Sequence, residues 1–237
     1  MTRILSVLCL LCSLILTACQ AQTELLYKVV PARITSSTPA PILVLLHGWG
    51  SDENDLIGLS NSLPPDFIVV SVRAPYKREN GGYAWYELQF GNGVFKETIG
   101  QAAESARKIN SLLPKLVKEL HADPKRVFLG GFSQGAIMSL RVGLQAPYPV
   151  RGIVCLSGRF PPDLDLNKIP AMQKTKIPVF AAHGTDDKVI SIADGRNIIQ
   201  KLQSAGISVT AKEYPMGHQI SKEELMALKL WLQQNGK

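Results

Sequence analysis

The 237 residues, 46% of them hydrophobic and 19% charged, suffice for one α/β domain with a substantial core. The formal charge of +7 comes from scattered Lys and Arg, with no arginine-rich helix and no zinc-finger spacing. That distribution argues against a nucleic-acid-binding module and implies only a modest attraction to anionic surfaces.

Arg3 precedes an apolar run over 4–16, too short for a bilayer, which takes about 20 residues. A basic start, an apolar core and then small residues form a secretory signal. It ends Leu16-Thr17-Ala18-Cys19, which resembles the lipobox of bacterial lipoproteins. The resemblance implies a signal peptide over 1–18 and a lipid on Cys19, hence an exported, membrane-anchored protein of the bacterial envelope. Gln20 suits an outer-membrane destination if the host is Gram-negative. Cleavage after Ala21, giving a soluble periplasmic or secreted protein, is the alternative. Of the four cysteines, Cys9 and Cys12 leave with such a signal. Cys155, in the apolar run 153–156, then has no intramolecular disulfide partner and is expected to be an inert core thiol.

Residues 19–40 read as a tether with a possible edge strand near 25–30, and 41–237 as the folded domain. The run 42–46 is continuously apolar and predicts a strand buried on both faces. It leads into His47-Gly48-Trp49-Gly50 and a short helix. A strand over 67–72 follows, then an irregular stretch to about Val94 holding Tyr76, Tyr83, Trp85, Tyr86 and Phe90. A long helix is predicted over 97–120, kinked or divided by Pro114.

The next strand, 126–129, runs into Gly131-Phe132-Ser133-Gln134-Gly135 and a helix over 136–144. Strand, glycine, serine, glycine, helix is the setting in which a serine hydroxyl is pushed out above a sheet. The helix start aims N–H groups at the place where an oxyanion would form. Strands over 152–156 and 178–183, a helix over 192–204, a strand over 208–214 and a closing helix complete the chain. Ser221-Lys222-Glu223-Glu224 has the form of a capping box for that helix. Alternating strands and helices predict a mostly parallel sheet covered on both faces, with its site at the strands' carboxyl ends. The segment 157–176 is too short for a large cap.

A serine nucleophile needs a base and an acid. His218, after Gly217 in the loop before the last helix, is placed for the base. His47 and His183 end strands in His-Gly pairs and read as packed histidines, and His121 sits at a helix end. The histidines lack metal-ligand spacing and companion cysteines, so no metal site is expected. Asp186 and Asp187 both lie between the serine and His218 and both qualify as the acid that orients the imidazole.

Leu46-His47-Gly48-Trp49-Gly50, the stretch 130–136 (GGFSQGA), the stretch 183–190 (HGTDDKVI) and Gly217-His218 stand in the order seen in α/β-hydrolases. The set resembles the phospholipase/carboxylesterase family that includes the acyl-protein thioesterases. The resemblance implies a Ser133, Asp187, His218 triad, since the acid is the fourth residue after the His of HGxxD. It also implies an oxyanion hole from the backbone N–H groups of Trp49 and Gln134, and no cofactor. The expected activity is hydrolysis of short- to medium-chain acyl esters or thioesters through an acyl-enzyme. The aromatic stretch 76–95, Tyr83 and Trp85 above all, is expected to wall the acyl side. Feruloyl, acetyl or polyester-oligomer substrates, and a catalytically silent binding lipoprotein, are the alternatives.

Overall fold

Five consecutive apolar residues, Ile-Leu-Val-Leu-Leu, can be hidden only in a strand covered on both faces. In a computed structural model that describes residues 24–91, 94–145, 147–174 and 176–237, they are strand β2, Ile42–Leu46, buried throughout. The expected signal and Cys19 lie outside the described residues.

In chain order the elements around β2 begin with β1 (Tyr27–Val30) and β3 (Ile68–Val72). Four short strands follow: β4 (Tyr76–Lys77), β5 (Tyr83–Ala84), β6 (Leu88–Gly91) and β7 (Val94–Glu97). Then come α1 (Ile99–Glu119), β8 (Val127–Phe132), α2 (Gln134–Gln145) and β9 (Gly152–Leu156). The remainder is α3 (Ala171–Lys174), β10 (Val179–Gly184), α4 (Ile192–Ser204), β11 (Val209–Tyr214) and α5 (Lys222–Asn235).

Among the described residues the main sheet has seven strands in the order β1-β3-β2-β8-β9-β10-β11, and only the edge strand β1 runs antiparallel, against β3. The segment before residue 41 is thus partly woven into the domain. The period-2 alternation of the strands splits the core in two. Ile42, Val44 and Leu46 pack with Ile109, Leu113 and Ile198 from α1 and α4 on one face. Leu43 and Leu45 join Phe128, Phe180 and Trp231 on the other, where α5 lies. Trp231 stands edge-on to Phe128 at 5.9 Å between ring centroids, a favoured aromatic geometry.

Two expectations are corrected. Pro114 does not divide the long helix: α1 runs unbroken through it. Proline forfeits one backbone bond, but Leu112, Leu113 and Leu116 around it are buried against the sheet, and that packing carries the helix through. The stretch after β3 is more regular than expected. It forms two small antiparallel hairpins, β4–β5 and β6–β7.

The capping box at α5 is complete. The Ser221 hydroxyl accepts from the Glu224 N–H at 3.1 Å, and Glu224 Oε2 accepts from the Ser221 N–H at 3.3 Å. Glu224 is fully buried, Oε1 has no partner, and burial pushes its pKa up to about 7. In the unfolded chain the group titrates near about 4.3. Between these values the folded protein holds a proton that the unfolded chain has lost, so stability falls as pH rises through this window. Glu224→Gln keeps the cap and removes the titration. Thermal unfolding should show the variant roughly 2–4 kcal/mol more stable than wild type at pH 8, with little difference near pH 4. Equal offsets at both pH values would contradict this account.

Candidate active site

The turn between β8 and α2 is built around Ser133, which adopts φ 55, a left-handed conformation that costs a non-glycine residue about 1–3 kcal/mol. The surroundings hold it there. Its N–H donates to Leu156 O at 2.9 Å, and its carbonyl accepts from Ala136 and Ile137 N–H at 3.0 and 3.2 Å. Two residues on, a Cβ at Gly135 would stand 1.9 Å from Leu46 O, so only glycine lets α2 start against the end of β2.

His218 arrives on the loop after β11 and packs its ring on Phe132 at 4.7 Å between centroids. Its Nε2 lies 2.9 Å from Ser133 Oγ, and its Nδ1 lies 2.7 Å from Asp187 Oδ2. With a carboxylate at Nδ1, that nitrogen carries the proton, and Nε2 is left to accept from the serine hydroxyl. Asp187 Oδ1 accepts from the N–H groups of Val189 and Ile190 at 2.8 and 2.9 Å. Burial alone would push this carboxyl up. The hydrogen bonds from His218, Ile190 and Val189 outweigh it and hold the group below the usual carboxylate range. It therefore stays charged at neutral pH.

The neighbouring Asp186 has its side chain exposed, with only Thr185 Oγ1 at 3.5 Å. Of the two acids left open by chemistry, the structure puts Asp187 on the imidazole. His183 secures this acid loop by donating from Nε2 to Ile190 O at 2.8 Å. His47 is buried and bonded through both nitrogens, to Gly48 O at 2.7 Å and to the Ala74 N–H at 3.0 Å. Burial pushes its pKa down, so it is a neutral structural imidazole. Cys155 is a buried free thiol that burial pushes up to about 12. Among the described residues no group of three or more His, Cys, Asp or Glu side chains could hold a metal ion.

Ser133 and His218 open onto a cavity of about 450 Å³, a size typical of small-molecule sites. Trp49 and Gln134 line it beside them. Gln134 opens α2, where main-chain N–H groups have no helical partner. Tyr83 and Trp85 are not part of the lining. Trp85 is fully buried, with its indole N–H donating to His47 O at 2.9 Å. The Tyr83 hydroxyl accepts from Arg73 at 3.2 Å. The aromatic walls are Tyr86, Trp49 and Phe132, with Leu88, Ile137, Val189 and Ile190 completing the apolar surface.

Trp85 and Tyr83 instead brace the site from behind. The Gln134 side chain accepts from the Trp85 N–H at 2.9 Å and donates to Tyr86 O at 2.7 Å. The Gly50 N–H donates to Tyr83 O, and the Tyr83 N–H to Ser51 O, each at 2.8 Å. A Cβ at Gly82, which sits at φ 67, would fall 1.9 Å from Gly50 O. The β4–β5 arm is thus clipped along the 47–51 turn that carries Trp49. No local pattern announces the pair of hydrogen bonds from Gln134 to Trp85 and Tyr86 just after β5.

A mostly parallel sheet, a strained serine between strand and helix, and an acid and a histidine from later loops define an α/β-hydrolase fold. Comparison with known proteins agrees. The phospholipase/carboxylesterase family model matches residues 31–235, and the chain belongs to that family. Acyl-protein thioesterase 1 of Debaryomyces hansenii is 32% identical over 219 residues, covering 84% of this chain and 94% of that protein. The crystal structure of Zea mays acyl-protein thioesterase 2 superposes with a TM-score of 0.73 at 25% identity, over 90% of this chain and 99% of that one. The Bacillus cereus carboxylesterase shares the fold, with a TM-score of 0.77 at 24% identity over 91% and 97% of the two chains.

Proposed function

We propose that the protein is a serine hydrolase that cleaves carboxylic esters or thioesters through an acyl-enzyme on Ser133. The observation that carries this reading is the unbroken relay from Ser133 Oγ through His218 to Asp187 at the floor of an open cavity. His218 takes the hydroxyl proton as Oγ attacks the carbonyl. The N–H groups of Trp49 and Gln134 hold the oxyanion, and His218 returns the proton to the departing alcohol or thiol. Water activated by the same imidazole then releases the acid. Asp187 stays ionised and stabilises the imidazolium in both halves of the cycle.

The cavity volume and the lack of a large cap among the described residues favour short to medium acyl chains. The relatives' names, thioesterase and carboxylesterase, support both bond types. The sequence Leu16-Thr17-Ala18-Cys19 supports an exported protein anchored to the bacterial envelope by lipid on Cys19. Turnover of p-nitrophenyl acetate, butyrate, octanoate and palmitate tests the substrate range: kcat/KM should peak at or below octanoate. A maximum at palmitate would refute the chain-length reading. Mass spectrometry of the mature N-terminus tests the anchor, since an unmodified N-terminus beyond Cys19 would exclude it.

A further inference from the structure

Among the described residues, one cation, Arg159, interrupts the apolar wall of the cavity. Arg159, on the loop after β9, lines it together with Tyr86, Leu88 and Ile137, and about a third of its side chain is exposed. Its Nη2 donates to Glu97 Oε1 at 3.1 Å. Glu97 does not depend on that bond, because Oε2 accepts from Arg141 at 2.8 Å and Oε1 from the Tyr86 hydroxyl at 3.0 Å. Arg141 in turn reaches Asp163. The bond to Glu97 therefore tethers the guanidinium through Nη2, while Nε and Nη1 have no protein acceptor among the described residues. Two carboxylates also border the cavity. Asp194 is engaged by the Ser191 hydroxyl at 2.6 Å, and Asp55 is exposed to water.

A planar fork of charged donors held against an apolar wall matches a carboxylate in a way that an alkyl chain cannot. We propose that Arg159 is a specificity-determining residue that reads an anionic group, a carboxylate, on the substrate ester. This rests on the ester-hydrolase reading. With Asp55 and Asp194 nearby, an anion is favoured only where it lands on Arg159.

The carboxylate can sit on either side of the scissile bond, and two substrate pairs separate these cases. On the acyl side, mono-p-nitrophenyl glutarate is compared with p-nitrophenyl pentanoate. On the alcohol side, the butyrate ester of 4-hydroxybenzoate is compared with that of 4-hydroxybenzamide. In one pair the wild-type kcat/KM should favour the anionic member by about tenfold, as expected for a charge-assisted bond. Arg159→Leu should bring that ratio to one or below, and Arg159→Lys should keep part of it. A wild-type ratio of one or less in both pairs overturns the proposal without any variant. A ratio that survives Arg159→Leu also overturns it, and leaves Arg159 as a counter-charge for Glu97 that affects only the melting temperature. If the wild type turns over none of the four esters, the hydrolase reading falls and this proposal with it.

Discussion

Ser133→Ala should abolish labelling by a fluorophosphonate probe and lower kcat on p-nitrophenyl butyrate by roughly 10⁴–10⁶-fold. The loss is large because the hydroxyl is the group that His218 Nε2 is placed to deprotonate. The proposed oxyanion donors, the backbone N–H groups of Trp49 and Gln134, survive the substitution, so a residual rate above that of water is expected. The variant should remain folded: the Ser133 backbone bonds to Leu156, Ala136 and Ile137 do not involve the side chain. A folded alanine variant that still labels would move the nucleophile elsewhere. A folded wild type that neither labels nor turns over ester would leave the silent binding lipoprotein as the better reading.

Asp187→Asn should lower kcat by about 10⁴-fold with little change in KM. An amide at this position offers either a donor that clashes with the Nδ1 proton or a neutral oxygen that stabilises the imidazolium far less than a carboxylate. It also weakens the acceptor for the Val189 and Ile190 N–H groups. Asp186→Asn, one residue away with an exposed side chain, should stay close to wild type. Loss of turnover in the Asp186 variant alone would reverse the assignment.

The features legible in the sequence are those that local chemistry dictates. The apolar run 42–46 could only be a buried strand, and Ser221 with Glu224 could only help a helix that starts between them. The serine, the acid and the histidine each lie in a short motif at the end of a strand, and a parallel sheet brings such ends together. What was not legible depends on partners far away in the chain. Trp85 looks like a substrate wall because an aromatic in a glycine-rich loop usually has a free face. It is buried, and His47 O, 38 residues earlier, accepts a hydrogen bond from its indole N–H. Pro114 reads as a helix break, and only the burial of the leucines around it shows otherwise. Arg159 carries no motif, and it becomes visible when Glu97, 62 residues earlier, is found beside it.

The φ of 55 at Ser133 has a consequence for how this protein would age once released from selection for its chemistry. Ser133→Gly relieves the backbone strain and removes the nucleophile in one step, so at this position stability and turnover pull in opposite directions. Lineages that no longer need the reaction should drift towards glycine here while keeping the sheet intact. They would become firmer proteins by giving up the residue around which the turn was shaped.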